Sequence, residues 1–191
     1  MNIFEAPAFR PFPKIARLSR DIVITEKIDG TNGVIFIPDA VEAAEFAYSL
    51  IYAGSRNRWI EPGKGDNFGF AAWVDLNSAS LIEGLGPGYH FGEWWGAGIQ
   101  RRYGLTEKRF SLFNPFRYET LPACCGVVPV LYEGPMHVGT VHDVLWNLDA
   151  TGSQAAPGFM DPEGVVIYHT ASKTLFKKTI TGDEKPKGSS E

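Results

Sequence analysis

Lys27 stands in the stretch Thr25-Glu26-Lys27-Ile28-Asp29-Gly30-Thr31-Asn32-Gly33, between two apolar, β-branched runs, Ile22-Val23-Ile24 and Val34-Ile35-Phe36-Ile37. A lysine amine is a nucleophile only when neutral, so its surroundings must disfavour an ammonium ion whose ordinary pKa is about 10.4. Asp-Gly and Asn-Gly supply the positive φ angles of tight turns, so the local reading is strand, polar turn, strand. That places Lys27 where a strand runs out into a loop, anchored by its backbone and open on one side. A lone Lys-x-Asp-Gly is more often a solvated turn, so the case for chemistry must come from other segments. Four are suggestive: Ser55-Arg56-Asn57-Arg58; Phe91-Gly92-Glu93-Trp94; Phe110-Ser111-Leu112-Phe113-Asn114; and Glu163-Gly164-Val165-Val166-Ile167 followed by Leu175-Phe176-Lys177-Lys178.

The elements that must position these residues are mostly short strands. Residues 1–20, with Pro7, Pro11 and Pro13 among Phe9, Phe12 and basic side chains, read as an extended arm packed on the surface. After the lysine hairpin, 45–53 reads as a strand. Residues 66–81 carry Phe70, Trp73, Val74 and Leu81 near helical spacing, and the Gly-Pro-Gly run that follows ends that helix. Strands follow at 89–95, 110–114 and 127–132. In the first of these Trp94 and Trp95 point to opposite faces, one into the core and the other to an edge. Thr140 caps a helix to about Leu148, with Asp143 where a capping box prefers Glu. Residues 163–168 and 174–180 form a hairpin closed by 169–173. The segment 182–191 has the composition of a flexible polar tail, which leaves 1–181 as one domain. Strands interrupted by two helices make an α+β fold.

Composition narrows the function. A chain of 191 residues is long enough for a real core. Its 21 Gly and 13 Pro favour a turn-rich β fold over a bundle. No apolar run is long enough to span a bilayer, and the N-terminus lacks a basic stretch followed by an apolar one; a soluble, cytoplasmic protein with no membrane partner is expected. Cys124 and Cys125 are adjacent, poorly placed to bridge each other and without zinc spacing, which fits a reduced, buried pair. His90, His137, His142 and His169 show no metal-ligand spacing and read as structural or exposed. A net charge of −4 argues against binding nucleic acid through bulk positive charge. A polyanion must meet a local patch, for which the loops holding Arg101, Arg102, Lys108 and Arg109 are the best candidates.

Taken in order, the five segments resemble the covalent nucleotidyltransferase superfamily: ATP-dependent DNA and RNA ligases and the mRNA-capping guanylyltransferases. The string Glu26-Lys27-Ile28-Asp29-Gly30-Thr31-Asn32 is most similar to the RNA ligase branch that includes phage and kinetoplastid RNA-editing enzymes, which is compatible with a phage-encoded chain. The resemblance covers about residues 20 to 180. It implies a DNA-ligase-like, ATP-grasp-like adenylyltransferase domain, with antiparallel β-sheets and flanking helices around a nucleotide cleft. The implied activity is ATP-dependent sealing of 5′-phosphate and 3′-hydroxyl RNA ends through lysyl-AMP and an adenylylated 5′ end. A DNA nick ligase, or an inactive nucleotide- or RNA-binding module of the same fold, are the alternatives.

By that resemblance Lys27 is the nucleophile, and Asp29 belongs to the turn rather than to proton removal. Glu26 would read the adenine edge, Asn32 would lie near the phosphates and Glu93 would bind the ribose. Phe113 would stack on adenine, with core packing as its alternative. Arg56 would contact nucleotide or the RNA 5′-phosphate through its planar fork. Glu163 would support a divalent ion, Mg²⁺ or Mn²⁺, bound through few carboxylates plus phosphates and water. The family often places two lysines one residue apart on one strand face; here Lys177 and Lys178 are adjacent and alternate faces, so Lys177 is taken for the α-phosphate. Arg58, Arg101, Arg102 and Lys178, with Lys173, remain for RNA. Relatives usually append a further domain, so a monomer with weak RNA grip, or one helped by an accessory protein, is expected.

Overall fold

The computed structural model describes residues 8–39 and 50–183; the first part of the strand expected at 45–53 and most of the expected tail lie outside them. Ten strands form two sheets. β1 (Asp21–Lys27), β8 (Val130–Pro135), β9 (Gly164–His169) and β10 (Thr174–Thr179) make a four-stranded antiparallel sheet in the order β10-β9-β1-β8. β2 (Thr31–Ile37), β3 (Tyr52–Gly54), β4 (Trp59–Ile60), β5 (Gly88–Gly96), β6 (Lys108–Leu112) and β7 (Cys125–Val127) make a six-stranded sheet in the order β4-β3-β2-β5-β6-β7. The β6–β7 pair is parallel and every other pair is antiparallel. Among the described residues the α-helices are α1 (Phe70–Leu76), entered through a 3-10 turn at Asn67–Gly69, α2 (Ser78–Leu85) and α3 (Thr140–Thr151). Among the described residues no helix is long and apolar enough to cross a membrane.

The expected lysine hairpin is not a hairpin. β1 and β2 belong to different sheets, and residues 28–30 carry the chain across the seam. The turn residues act by close approach rather than by positive φ: a Cβ on Gly30 would lie 2.4 Å from the Trp94 carbonyl oxygen. The Asp29 amide donates to the Tyr103 hydroxyl at 2.7 Å and the Gly30 amide to Glu93 Oε1 at 3.0 Å. Both backbone donors are satisfied across the seam, so no turn back to β1 is needed. The strand expected at 127–132 splits in the same way into β7 and β8, one in each sheet.

Each sheet buries one face against helices. Ile35, Ile37, Trp94, Phe110 and Leu112 pack with Phe70, Val74, Leu81 and Leu85 of α1 and α2. Ile22, Ile24, Val165 and Ile167 pack on Leu148 of α3. A third cluster, Ile28, Trp95, Tyr103, Val128 and Ala156, joins the sheets at the seam. Trp94 and Trp95 are therefore both buried, on opposite faces, and neither is the edge residue expected. Burial of each large side chain contributes roughly 1.5–3 kcal/mol, so the seam is held by packing as well as by hydrogen bonds.

The helix expected over 66–81 is two. Asp66 starts the first, its carboxylate accepting from the Ala71 and Ala72 amides at 2.5 and 3.1 Å. Asn77 interrupts, with its side chain donating to the Trp73 carbonyl at 2.8 Å. α3 extends three residues beyond Leu148. The arm is exposed along 8–20 rather than packed. Its end is tied by the Leu18 carbonyl to His169 Nε2 at 2.9 Å. His90 is buried between the Tyr118 hydroxyl and the Gly86 carbonyl, a structural role as expected. Cys124 and Cys125 are free and half-buried.

Candidate active site

Lys27 is the last residue of β1, and its Nζ lies 2.5 Å from Glu163 Oε2. The lysine side chain is 21% exposed and that of Glu163 only 7%, so the pair sits at a partly shielded surface. Register makes the pairing possible. Gly164, directly opposite Lys27 on β9, also faces Thr179 on β10. A Cβ at Gly164, whose φ is 154°, would meet the Lys178 carbonyl oxygen at 2.2 Å. Glycine there lets three strands close up beside the nucleophile candidate and turns Glu163 toward it.

Glu93 comes from the other sheet. Its Oε1 accepts the Gly30 amide and its Oε2 accepts Asn32 Nδ2 at 3.3 Å. Burial pushes its carboxyl up to about 7; the positive charge of Lys27 and the Gly30 N–H oppose that rise, and Glu163 and Asp29 add to it. One cation and two acids thus share the seam, and an acid that takes up a proton near neutral pH is what desolvation at a functional cleft produces. Asn32 is fixed further by its carbonyl, which accepts from Asn67 Nδ2 at 3.2 Å.

Register puts the two adjacent lysines on opposite faces. Lys177 pairs with Val166, which pairs with Thr25, so Lys177 shares a sheet face with Thr25 and Lys27. Lys178 lies on the opposite face, in an ion pair with Asp183 at 3.0 Å. Phe113 follows β6, donates its amide to the Phe91 carbonyl at 2.9 Å, and is 41% exposed, so it is not a core residue. Its cross-strand relation to Phe91 places it on the Glu93 side of the sheet. Arg56 is exposed in the β3–β4 turn, which the Val34–Gly54 register sets toward the Asn32 end. Arg102 and Lys173 are exposed.

Two expectations change. Glu26 is 1% exposed and does not face an open cleft. Its carboxylate accepts from Ser153 Oγ at 2.5 Å and from the Gln154 and Ala155 amides at 2.8 and 2.9 Å. It braces the 153–155 loop against the strand that carries Lys27, which leaves no geometry for reading an adenine edge. Arg101 is not a free RNA contact either. Its guanidinium bridges Asp29 Oδ2 at 3.2 Å and Asp161 Oδ2 at 2.6 Å, with a further bond to the Asp161 carbonyl at 2.9 Å. One side chain therefore ties the segment after Lys27 to the segment before Glu163. Arg58 donates to the Gly65 carbonyl at 3.2 Å and holds its own loop.

The sequence reading missed Tyr103, Ser153, Asp161 and Asn67. Tyr103 is buried, its phenol raised above the ordinary value mainly by burial, and its oxygen receives the Asp29 amide. No local pattern marks these four, since each acts through a partner far away in sequence.

Among the described residues no three metal-ligating side chains converge. The donor set is the carboxylate of Glu163 beside an amine, with Glu93 close enough to feel its charge. That set suits a hard divalent ion held mainly by phosphates and water rather than by a protein cage.

Lys27, Glu163 and Glu93 meet where the two sheets join, and Lys177 shares the Lys27 face; the domain is of the nucleotidyltransferase type. The chain belongs to the RNA ligase family, whose model matches residues 20–179. No curated protein matches the sequence. Among solved structures, the fold is similar to Naegleria gruberi RNA ligase. A variant solved with AMP and Mn is 17% identical, with a TM-score of 0.60 over 85% of this chain and 50% of that one. The form with PPi is 16% identical, with a TM-score of 0.55 over 93% of this chain and 58% of that one. An apo variant gives 17% and 0.59 over 84% and 50%. The chain thus spans about half the length of these ligases.

Proposed function

We propose that this chain is an ATP-dependent RNA ligase adenylyltransferase in which Lys27 takes AMP from ATP and passes it to an RNA 5′-phosphate. The observation that carries the reading is the Lys27–Glu163 pair at 2.5 Å, facing Glu93 across the seam, inside the span matched by the RNA ligase family. The similarity to a ligase solved with AMP and Mn supports the nucleotide and metal assignment. An ammonium cannot attack, so the reaction needs the neutral amine. Glu163 would hold a divalent cation, which when bound would supply positive charge beside the amine and the leaving pyrophosphate. Nζ then bonds to Pα, the bond from Pα to the bridging oxygen breaks, pyrophosphate leaves with that electron pair, and the surplus amine proton goes to solvent. The RNA 5′-phosphate next displaces Lys27 from the adenylate, and a 3′-hydroxyl displaces AMP to form the phosphodiester.

The other residues position the reactants. Glu93 accepts a ribose hydroxyl, Lys177 contacts the α-phosphate from the Lys27 face, Phe113 offers an exposed ring to adenine, and Asn32 and Arg56 flank the phosphates. Asp29 and Arg101 hold the crossing in place. The test is incubation with ATP and magnesium followed by peptide mass analysis. A gain of one AMP on a Lys27 peptide, absent in Lys27→Ala, is expected. Saturable ATP binding without pyrophosphate release would refute catalysis, and sealing of nicked DNA in preference to 5′-phosphorylated RNA would refute the substrate.

A further inference from the structure

The six-stranded sheet buries one face on α1 and α2 and leaves the other bearing aromatic rings in the open. Three facing pairs run along β2 and β5 away from the seam: Asn32 with Glu93, Val34 with Phe91, and Phe36 with Tyr89. Trp59, paired with Gly54 on the neighbouring strands, continues the face sideways. Trp59, Tyr89 and Phe91 are 50, 48 and 52% exposed. Their rings are ordered rather than scattered. Tyr89 and Phe91 lie 6.0 Å apart and within 9° of parallel, Phe36 and Tyr89 4.5 Å apart, and Trp59 and Tyr89 6.3 Å apart in a stacked arrangement. Such a contiguous aromatic face on a soluble sheet marks a binding surface.

We propose that this face is a track for single-stranded RNA, its bases stacking on Phe91, Tyr89 and Trp59 and its end lying at Lys27; the proposal rests on the RNA ligase reading above. Two observations select this occupant over a protein partner. First, the face is continuous with Asn32, Glu93 and Phe113, the residues proposed to hold the nucleotide, so a strand leaving the reaction centre passes directly onto the rings. Four residues of strand separate Glu93 from Tyr89, roughly 14 Å, room for a few nucleotides. Second, cations flank the rings in a chain of net charge −4. Arg56 sits in the turn beside Trp59, and Arg117 donates to the Tyr89 carbonyl at 2.5 Å. Rings for base faces with cations for phosphates is the chemistry of sequence-tolerant single-strand binding.

The test uses the whole chain and a fluorescently labelled, 5′-phosphorylated oligouridylate of twelve nucleotides, with the double variant Tyr89→Ala and Phe91→Ala. Both side chains are exposed, so folding is preserved, which thermal melting checks. Self-adenylylation by ATP should be unchanged, whereas the Kd for the oligonucleotide rises tenfold or more; Phe91→Tyr, which keeps an aromatic ring, retains most of the affinity. Unchanged affinity would overturn the track, as would a wild type that dimerises through this face or equal weakening toward blunt duplex RNA. Failure of the wild type to self-adenylylate would instead strike the ligase reading, and anisotropy would still report on the face.

Discussion

Glu93→Gln should make the protein more stable and less active, with a pH signature that only a desolvated acid produces. Glu93 goes from an ordinary 4.5 to about 7 on folding, chiefly through burial. Below pH 4.5 the acid is protonated in both states and contributes no difference. Between 4.5 and 7 the unfolded chain releases a proton that the folded chain keeps, so the unfolded state binds fewer protons and stability falls as pH rises. Above 7 the penalty is complete: about 2.5 pH units at 1.36 kcal/mol each, or about 3 kcal/mol. Glutamine mimics the protonated acid at every pH and retains an acceptor for the Gly30 amide. Urea denaturation of both proteins from pH 4.5 to 8.5 should therefore give curves that meet at the acid end. They should diverge to about 3 kcal/mol in favour of the variant at pH 8, roughly 10 °C in Tm for a chain of this size. Adenylylation should drop at least tenfold, since the neutral amide is a poorer partner for a ribose hydroxyl than a carboxylate. Parallel stability curves, whatever their offset, would refute the reasoning, because they would show that Glu93 titrates alike folded and unfolded.

Three further outcomes follow from the same geometry. Glu26→Gln keeps the shape but replaces the carboxylate oxygen that the Gln154 and Ala155 amides share by a weaker neutral acceptor or an N–H; a loss of about 1.5–3 kcal/mol in urea unfolding is expected, and hydrogen exchange at 154 and 155 should speed up. Arg101→Ala frees Asp29 and Asp161 at a partly exposed site; stability should fall by about 1 kcal/mol or less, while adenylylation falls through a lower kcat more than a higher KM for ATP. Gly30→Ala forces a methyl within 2.4 Å of the Trp94 carbonyl, and a drop of several degrees in Tm with lost adenylylation is the expected result.

The residues of the candidate site were legible because they lie in short strings. Lys27, Glu93, Glu163 and Lys177 each sit at a strand or strand end, and the strands themselves follow from β-branched runs and period-two alternation. The sheets they belong to were not legible. Alternation states which side chains share a face but not which strand lies alongside, so a turn-like Asp-Gly read as a hairpin where the chain crosses between sheets. Only the distant Tyr103 and Glu93, receiving the backbone amides of Asp29 and Gly30, reveal that crossing.

Glu26 shows where more could have been read. Ile22, Ile24 and Glu26 share one phase of β1, and all three are fully buried. An acid on the apolar phase of a strand cannot stay unpartnered, since a buried ionised group without hydrogen bonds is far too costly. Something in the fold had to come to it, and the 153–155 loop supplies one hydroxyl and two amides. That same phase argument sends Lys27, the next residue, to the opposite face, onto which Lys177 projects. The inward acid and the outward amine are two consequences of one alternation, which is why loosening the first should disturb the second.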